Sequence, residues 1–168
     1  MAAGSSRQGS TEVSVNEPGV PVLLAEHELA IKRLYEAFAD VFAERRDFWQ
    51  NLATEEQGHA DFLGTLPSTP AADGLLQHGG ALRPQAITSS ITYVEGQTAR
   101  ARAGALTPVQ ALAIAKDLEH ALIEDMFSRV PPSAPADVRL VLARLAEDTR
   151  RHRDSLARAL EAERPVRS

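Results

Sequence analysis

The stretch Phe48-Trp49-Gln50-Asn51-Leu52-Ala53-Thr54-Glu55-Glu56-Gln57-Gly58-His59-Ala60 decides the fold. Trp49, Leu52, Glu56, His59 and Leu63 recur three or four residues apart, so they share one face of a helix. That face is the one a helix buries, and a carboxylate and an imidazole placed on it need partners. The chain supplies them by repeating a phrase. Glu28 followed by Glu56 and His59 returns as Glu119 followed by Thr149 and His152, with one position changed, Thr149. An internal duplication that puts carboxylates and imidazoles on four helices is how a four-helix bundle builds a paired-metal site in its core.

Outward from this stretch, the apolar set Leu24, Ile31, Tyr35, Phe38 and Phe42 has helical spacing with Glu28 on the same stripe, predicting a first helix from Pro21 to about Ala43. The second helix starts near Arg45 and is stopped by Gly64 and Pro67. The very short connection makes the two antiparallel neighbours. Pro67, Pro70 and Pro84 with Gly74, Gly79 and Gly80 mark a long crossover, after which Ile87, Ile91, Val94, Thr98 and Arg102 predict a shorter helix lying across one end or side. Thr107 is a good N-cap and Pro108 a good first-turn residue for a third long helix, striped by Leu112, Ala115, Glu119, Leu122 and Met126 and reaching about Arg129. Pro131, Pro132 and Pro135 break it. Val138, Leu142, Leu145, Thr149, His152, Leu156 and Leu160 stripe the fourth. Aligning Glu28 with Glu119 sets Tyr35 on Met126, and aligning His59 with His152 sets Leu52-Ala53 on Leu145-Ala146, so the two hairpins read as copies of one unit. The expected fold is all-α: an antiparallel four-helix bundle with one long crossover carrying a short extra helix. It occupies residues 21–163, behind a disordered tail at 1–20 that is rich in Gly, Ser, Glu, Val and Pro.

Composition agrees. The 168 residues suit one domain, aromatics are only 5%, and Ala and Leu are abundant helix formers. The absence of cysteine excludes disulfides, thiolate nucleophiles, iron–sulfur clusters and Cys-ligated zinc. A net charge of −5, from 18 basic and 23 acidic side chains, argues against general nucleic-acid binding. Arg150, Arg151 and Arg153 alternate with acids and read as a solvated helix face. No run approaches the roughly 20 apolar residues of a membrane span, and the N-terminus lacks a hydrophobic signal core, so a cytoplasmic location is expected.

Glu28, Glu56 and Glu119 converging in one core would repel one another as anions, a conflict that divalent cations resolve. Carboxylates with imidazoles suit iron, manganese or zinc better than copper or calcium. In these residues, and in the runs Glu28-Leu29-Ala30-Ile31-Lys32-Arg33-Leu34-Tyr35, Phe48 to Ala60 and Leu118-Glu119, the chain resembles the rubrerythrin-like members of the ferritin-like superfamily. The resemblance covers about 21–160. It implies a centre of two iron ions, with a single iron, manganese or zinc as alternatives: Glu28 and His59 on one metal, Glu119 and His152 on the other, Glu56 bridging, and Thr149 where a second bridge would stand. It also implies oxidation of ferrous iron by dioxygen or peroxide, with Glu56 and Tyr35 acting at the reacting centre, Tyr35 as a hydrogen-bond partner behind the ligands. Bundles of this type commonly form homodimers, and without a cysteine-rich module any electron donor must be external.

The plainer alternative is a helical scaffold or interaction module that kept the fold and lost the metal. In that reading His152 and Thr149 are polar core residues bonded to the glutamates. Tyr35, Trp49 and Met126 read first as core packing. His27, His78 and His120 fall off the stripes or in the crossover and read as surface, as do Glu55, Glu124 and Glu147.

Overall fold

Proline and glycine set the helix boundaries. In the computed structural model, which describes residues 18–67, 74, 83–122, 132 and 134–163, helix α1 spans Val20–Val41 with a proline in its first turn and extended Gly19 as its N-cap. Phe42 leaves the helical region, a 3-10 turn covers Ala43–Arg45, and α2 runs Arg46–Gly64. Helix α3 covers Pro84–Arg102 with proline at its start. Helices α4, Pro108–Leu122, and α5, Ala136–Ala162, complete the described elements, and no strand occurs among the described residues. The chain is all-helical.

Local chemistry accounts for two of these ends. At the start of α4, the Thr107 amide donates to Gln110 Oε1 at 2.9 Å and the Gln110 amide donates back to Thr107 Oγ1 at 3.3 Å. This reciprocal capping box satisfies two donors that a helix start leaves orphaned. At the end of α3 the chain turns through Gly104 at φ 67°, with Gly104 N bonded to Ala101 O and Ala105 N to Arg100 O. That is the Schellman pattern, and its left-handed position favours glycine.

Helix α1 packs along α2 on one side and α3 on the other, α5 packs along α4, and α2 meets α5 more sparsely. An aromatic cluster anchors α1 on α2: the Trp49 ring lies 4.8 Å from Phe38 and 5.6 Å from Tyr35, and all three are essentially fully buried. Fully burying one such side chain stabilises by about 1.5–3 kcal/mol. Leu52 and Ala53 are buried, as are Leu145 and Ala146, the positions the duplication pairs. Arg45 grips Glu163 Oε1 through Nε at 3.0 Å and Nη2 at 2.6 Å, tying the α1–α2 turn to the end of α5. No helix among the described residues is long and apolar enough to cross a membrane.

Two expectations need correction. The segment after the crossover is no short appendage: α3 has 19 residues, as many as α2, and it lies along α1. Its weak stripe concealed its length, because Ser89, Ser90, Thr92 and Thr98 interrupt the apolar pattern, while Thr88, Ser89, Thr92 and Thr98 return their hydroxyls to backbone carbonyls four residues back. The second correction follows from the first. His27 is buried, not on the surface, because α3 covers the side of α1 that the four-helix pattern leaves to water. The tail up to residue 17, most of the crossover with His78, the segment with Glu124 and Met126, and the end of the third helix expected near Arg129 lie outside the described residues.

Candidate metal centre

Each of the expected ligands is buried. Glu28 comes from α1, Glu56 and His59 from α2, Glu119 from α4 and His152 from α5, and none is more than 3% exposed. Spacing explains the convergence. Glu56 with His59 and Thr149 with His152 are three apart, so each pair projects from one helix face, and Thr149 is buried as well.

Glu56 is the hub. Its Oε2 lies 2.7 Å from His59 Nδ1, and its Oε1 lies 3.0 Å from His152 Nδ1. The first contact is a hydrogen bond. The second is within ion-pair reach but off hydrogen-bond alignment, so Glu56 Oε1 and His152 Nδ1 both remain without a hydrogen-bond partner. His152 Nδ1 also lies 3.5 Å from Glu119 Oε1, and that oxygen accepts a 2.7 Å hydrogen bond from the Tyr35 hydroxyl. The two imidazoles stack with centroids 5.4 Å apart. Glu56, His59 and His152 each bring one donor atom within 4.8 Å of the others, a buried group that can hold a metal ion.

Outside this group lies a layer that the duplication also contains. His152 Nε2 lies 3.1 Å from Glu55 Oε2, and His59 Nε2 lies 3.7 Å from Asp148 Oδ2. Glu55 directly precedes Glu56, and Asp148 directly precedes Thr149. Each hairpin therefore offers an acid to the other hairpin's imidazole. Arg151 joins the two acids through Nη2, 3.0 Å from Glu55 Oε2 and 2.6 Å from Asp148 Oδ1. The contacts close a ring: Glu56, His59, Asp148, Arg151, Glu55, His152 and back to Glu56. A carboxylate on the far nitrogen of an imidazole fixes its orientation and raises its basicity as a ligand. Glu55 is thus tied to His152 and Arg151 rather than simply solvated, whereas Glu147 and His120 are exposed as expected. The recurrence of an acid just before each Glu56-equivalent position was the available signal for this layer.

Protonation follows from the geometry. Burial works against an ionised Glu56, yet the close approach of His152, the hydrogen bond with His59 and the charge of both imidazoles hold its pKa down at about 2. Burial likewise works against a charged His152, but Glu119 and Glu56 raise it to about 11. Glu28 goes the other way: burial first, then the charges of Glu56 and Glu119, push its carboxyl well above the ordinary range. Glu119 is raised by burial and by Glu56, partly offset by His152 and Tyr35. Burial and the charge of Glu119 push Tyr35 up, so its hydroxyl stays a donor.

The donor set fits a cation. Glu28 Oε2, Glu56 Oε1, Glu119 Oε2 and His152 Nδ1 are buried without hydrogen-bond partners, and a buried polar atom left so costs about 1–3 kcal/mol; His59 faces the same group through Nδ1, its Nε2 lying toward Asp148. Clustered unpaired carboxylate oxygens and imidazole nitrogens are the ligand types of iron, manganese and zinc. The chain matches no family profile, no curated protein and no solved structure.

Proposed function

We propose that this protein is a ferritin-like, rubrerythrin-like four-helix bundle that holds iron between α1, α2, α4 and α5 and oxidises ferrous iron with dioxygen or peroxide. The observation that carries the reading is the set of unpartnered donors that the two copies of one sequence phrase bring to a common core. Glu28 and His59 would serve one metal position, Glu119 and His152 the other, and Glu56, with one oxygen toward each imidazole, both. Ferrous iron bound there supplies the electrons that reduce the oxidant. The chain's own residues do the rest. Glu28 gives up its proton to become a ligand, Tyr35 holds a proton against Glu119, and Glu55 and Asp148 keep the imidazoles oriented.

Thr149 makes the two positions unequal. Three glutamates leave one positive charge beside two divalent ions, so the second position should be weaker and should draw an anion from solvent. A second reading, a scaffold that has lost its metal, is favoured by one observation: Glu56 already has an imidazole facing each oxygen. Anaerobic titration of chelator-treated protein with ferrous iron separates the two. The proposal expects one to two equivalents bound and oxidised on admission of air, with Glu56→Ala abolishing uptake. Indifference to iron leaves the scaffold.

A further inference from the structure

A cleft of about 270 Å³ opens between α2 and α5, with buried His152 in its wall. Its apolar side is Phe48 and Leu52, and Asn51 and Ser155 add neutral hydrogen-bonding groups. Glu55, the one acid lining it, is already engaged by Arg151 and His152. Arg158, exposed at the same cleft, makes no hydrogen bond or ion pair among the described residues. The uncommitted charge of the cleft is therefore cationic, and it lies beside a hydrocarbon wall.

We propose that this cleft binds a small organic acid, its carboxylate on Arg158 and its hydrocarbon body on Phe48 and Leu52. A guanidinium fork matches a carboxylate with two parallel hydrogen bonds, which a hydroxyl or a lone apolar chain cannot use. The volume lies just under the roughly 300–1,000 Å³ of pockets for drug-sized ligands, which suits an acid of about six carbons. The site goes beyond the iron-binding reading and stands without it, because no metal takes part in it.

The test uses full-length, chelator-treated protein and hexanoate. Trp49 is the chain's single tryptophan, and its ring lies 5.1 Å from Phe48, so its fluorescence reports on the cleft. Saturable binding is expected, weakened at least tenfold in Arg158→Gln and at least tenfold for hexanol or inorganic phosphate, with amide NMR shifts concentrated at Phe48, Asn51 and Ser155. Absence of saturation, an unchanged constant in Arg158→Gln, equal binding of hexanol or phosphate, or shifts centred elsewhere would overturn the proposal. Iron uptake is measured separately, so either reading can fail alone.

Discussion

His59 and His152, from helices at the second and last places in the chain, stack with 29° between their ring planes and turn their Nδ1 atoms toward the two oxygens of one carboxylate, Glu56. This packing places a charged hub in the core, and its stability depends on pH in both directions. A folded-state His152 pKa of about 11 gives stability that is full below the unfolded value of 6.5 and is lost as pH rises through 11. Glu56, held at about 2, gives stability that is full above its unfolded 4.5 and is lost as pH falls through 2. Raised Glu28 and Glu119 bring a loss that begins as pH rises past their unfolded 4.5, and His27, lowered to about 4 by burial against the pull of Glu56, an opposing loss that begins as pH falls past its unfolded 6.5. Metal-free protein should therefore be most stable between about pH 4.5 and 6.5. Urea melts across pH would show it, and the alkaline limb should flatten in His152→Gln.

Glu28→Gln should separate stability from binding. An amide copies the protonated carboxyl that burial favours and removes the cost of keeping a carboxyl protonated at a pH above its unfolded value. The metal-free variant should melt higher than wild type at pH 7.5, while ferrous or cobalt binding weakens at least tenfold. A variant that melts lower and binds equally would contradict both parts.

Arg151→Gln should weaken metal binding about tenfold, the lower end of what loss of an outer partner costs. Its ion pairs are largely solvent-exposed, and such pairs contribute only about 0–1 kcal/mol to folding. Cobalt titration set beside thermal melts distinguishes a residue that orients ligands from one that holds the fold.

Tyr35→Phe removes the donor to Glu119 Oε1 without changing the packing against Trp49. A buried acceptor left unpaired costs about 1–3 kcal/mol. The loss should appear in urea midpoints of metal-free protein and shrink when metal is bound.

Two glycines should respond in opposite senses. Gly96 is exposed within α3 and has open space where a Cβ would go, so Gly96→Ala should stabilise by about 0.5–1 kcal/mol. Gly104 also has space, but its φ of 67° is strained for alanine, so Gly104→Ala should destabilise. Denaturant midpoints of the two variants give the comparison.

Where a residue's role was written in its own periodicity, the sequence disclosed it. Leu24, Ile31, Phe38, Leu142 and Leu156 lie in the core where their spacing put them, and Glu28, Glu56, His59, Glu119 and His152 lie with them. Thr107 caps its helix, although the reciprocal Gln110 bond went unread. Roles that depend on a neighbouring helix were hidden. Nothing local to His27 indicates that Ser90 of α3 lies 2.7 Å from its Nε2. Glu55 and Asp148 stand one residue off the buried stripe, where a single helix would leave them to water. They reach the imidazoles only when α5 lies beside α2.

That exchange of acids between hairpins means that neither half of the duplication holds a self-sufficient site. Glu55 orients an imidazole in the second half and Asp148 faces one in the first, so a hairpin taken alone keeps its acid and its imidazole but loses the contact each was placed to make. Ligand geometry is thus a property of the seam between the copies. Either hairpin could complete such a site only by pairing with a second hairpin.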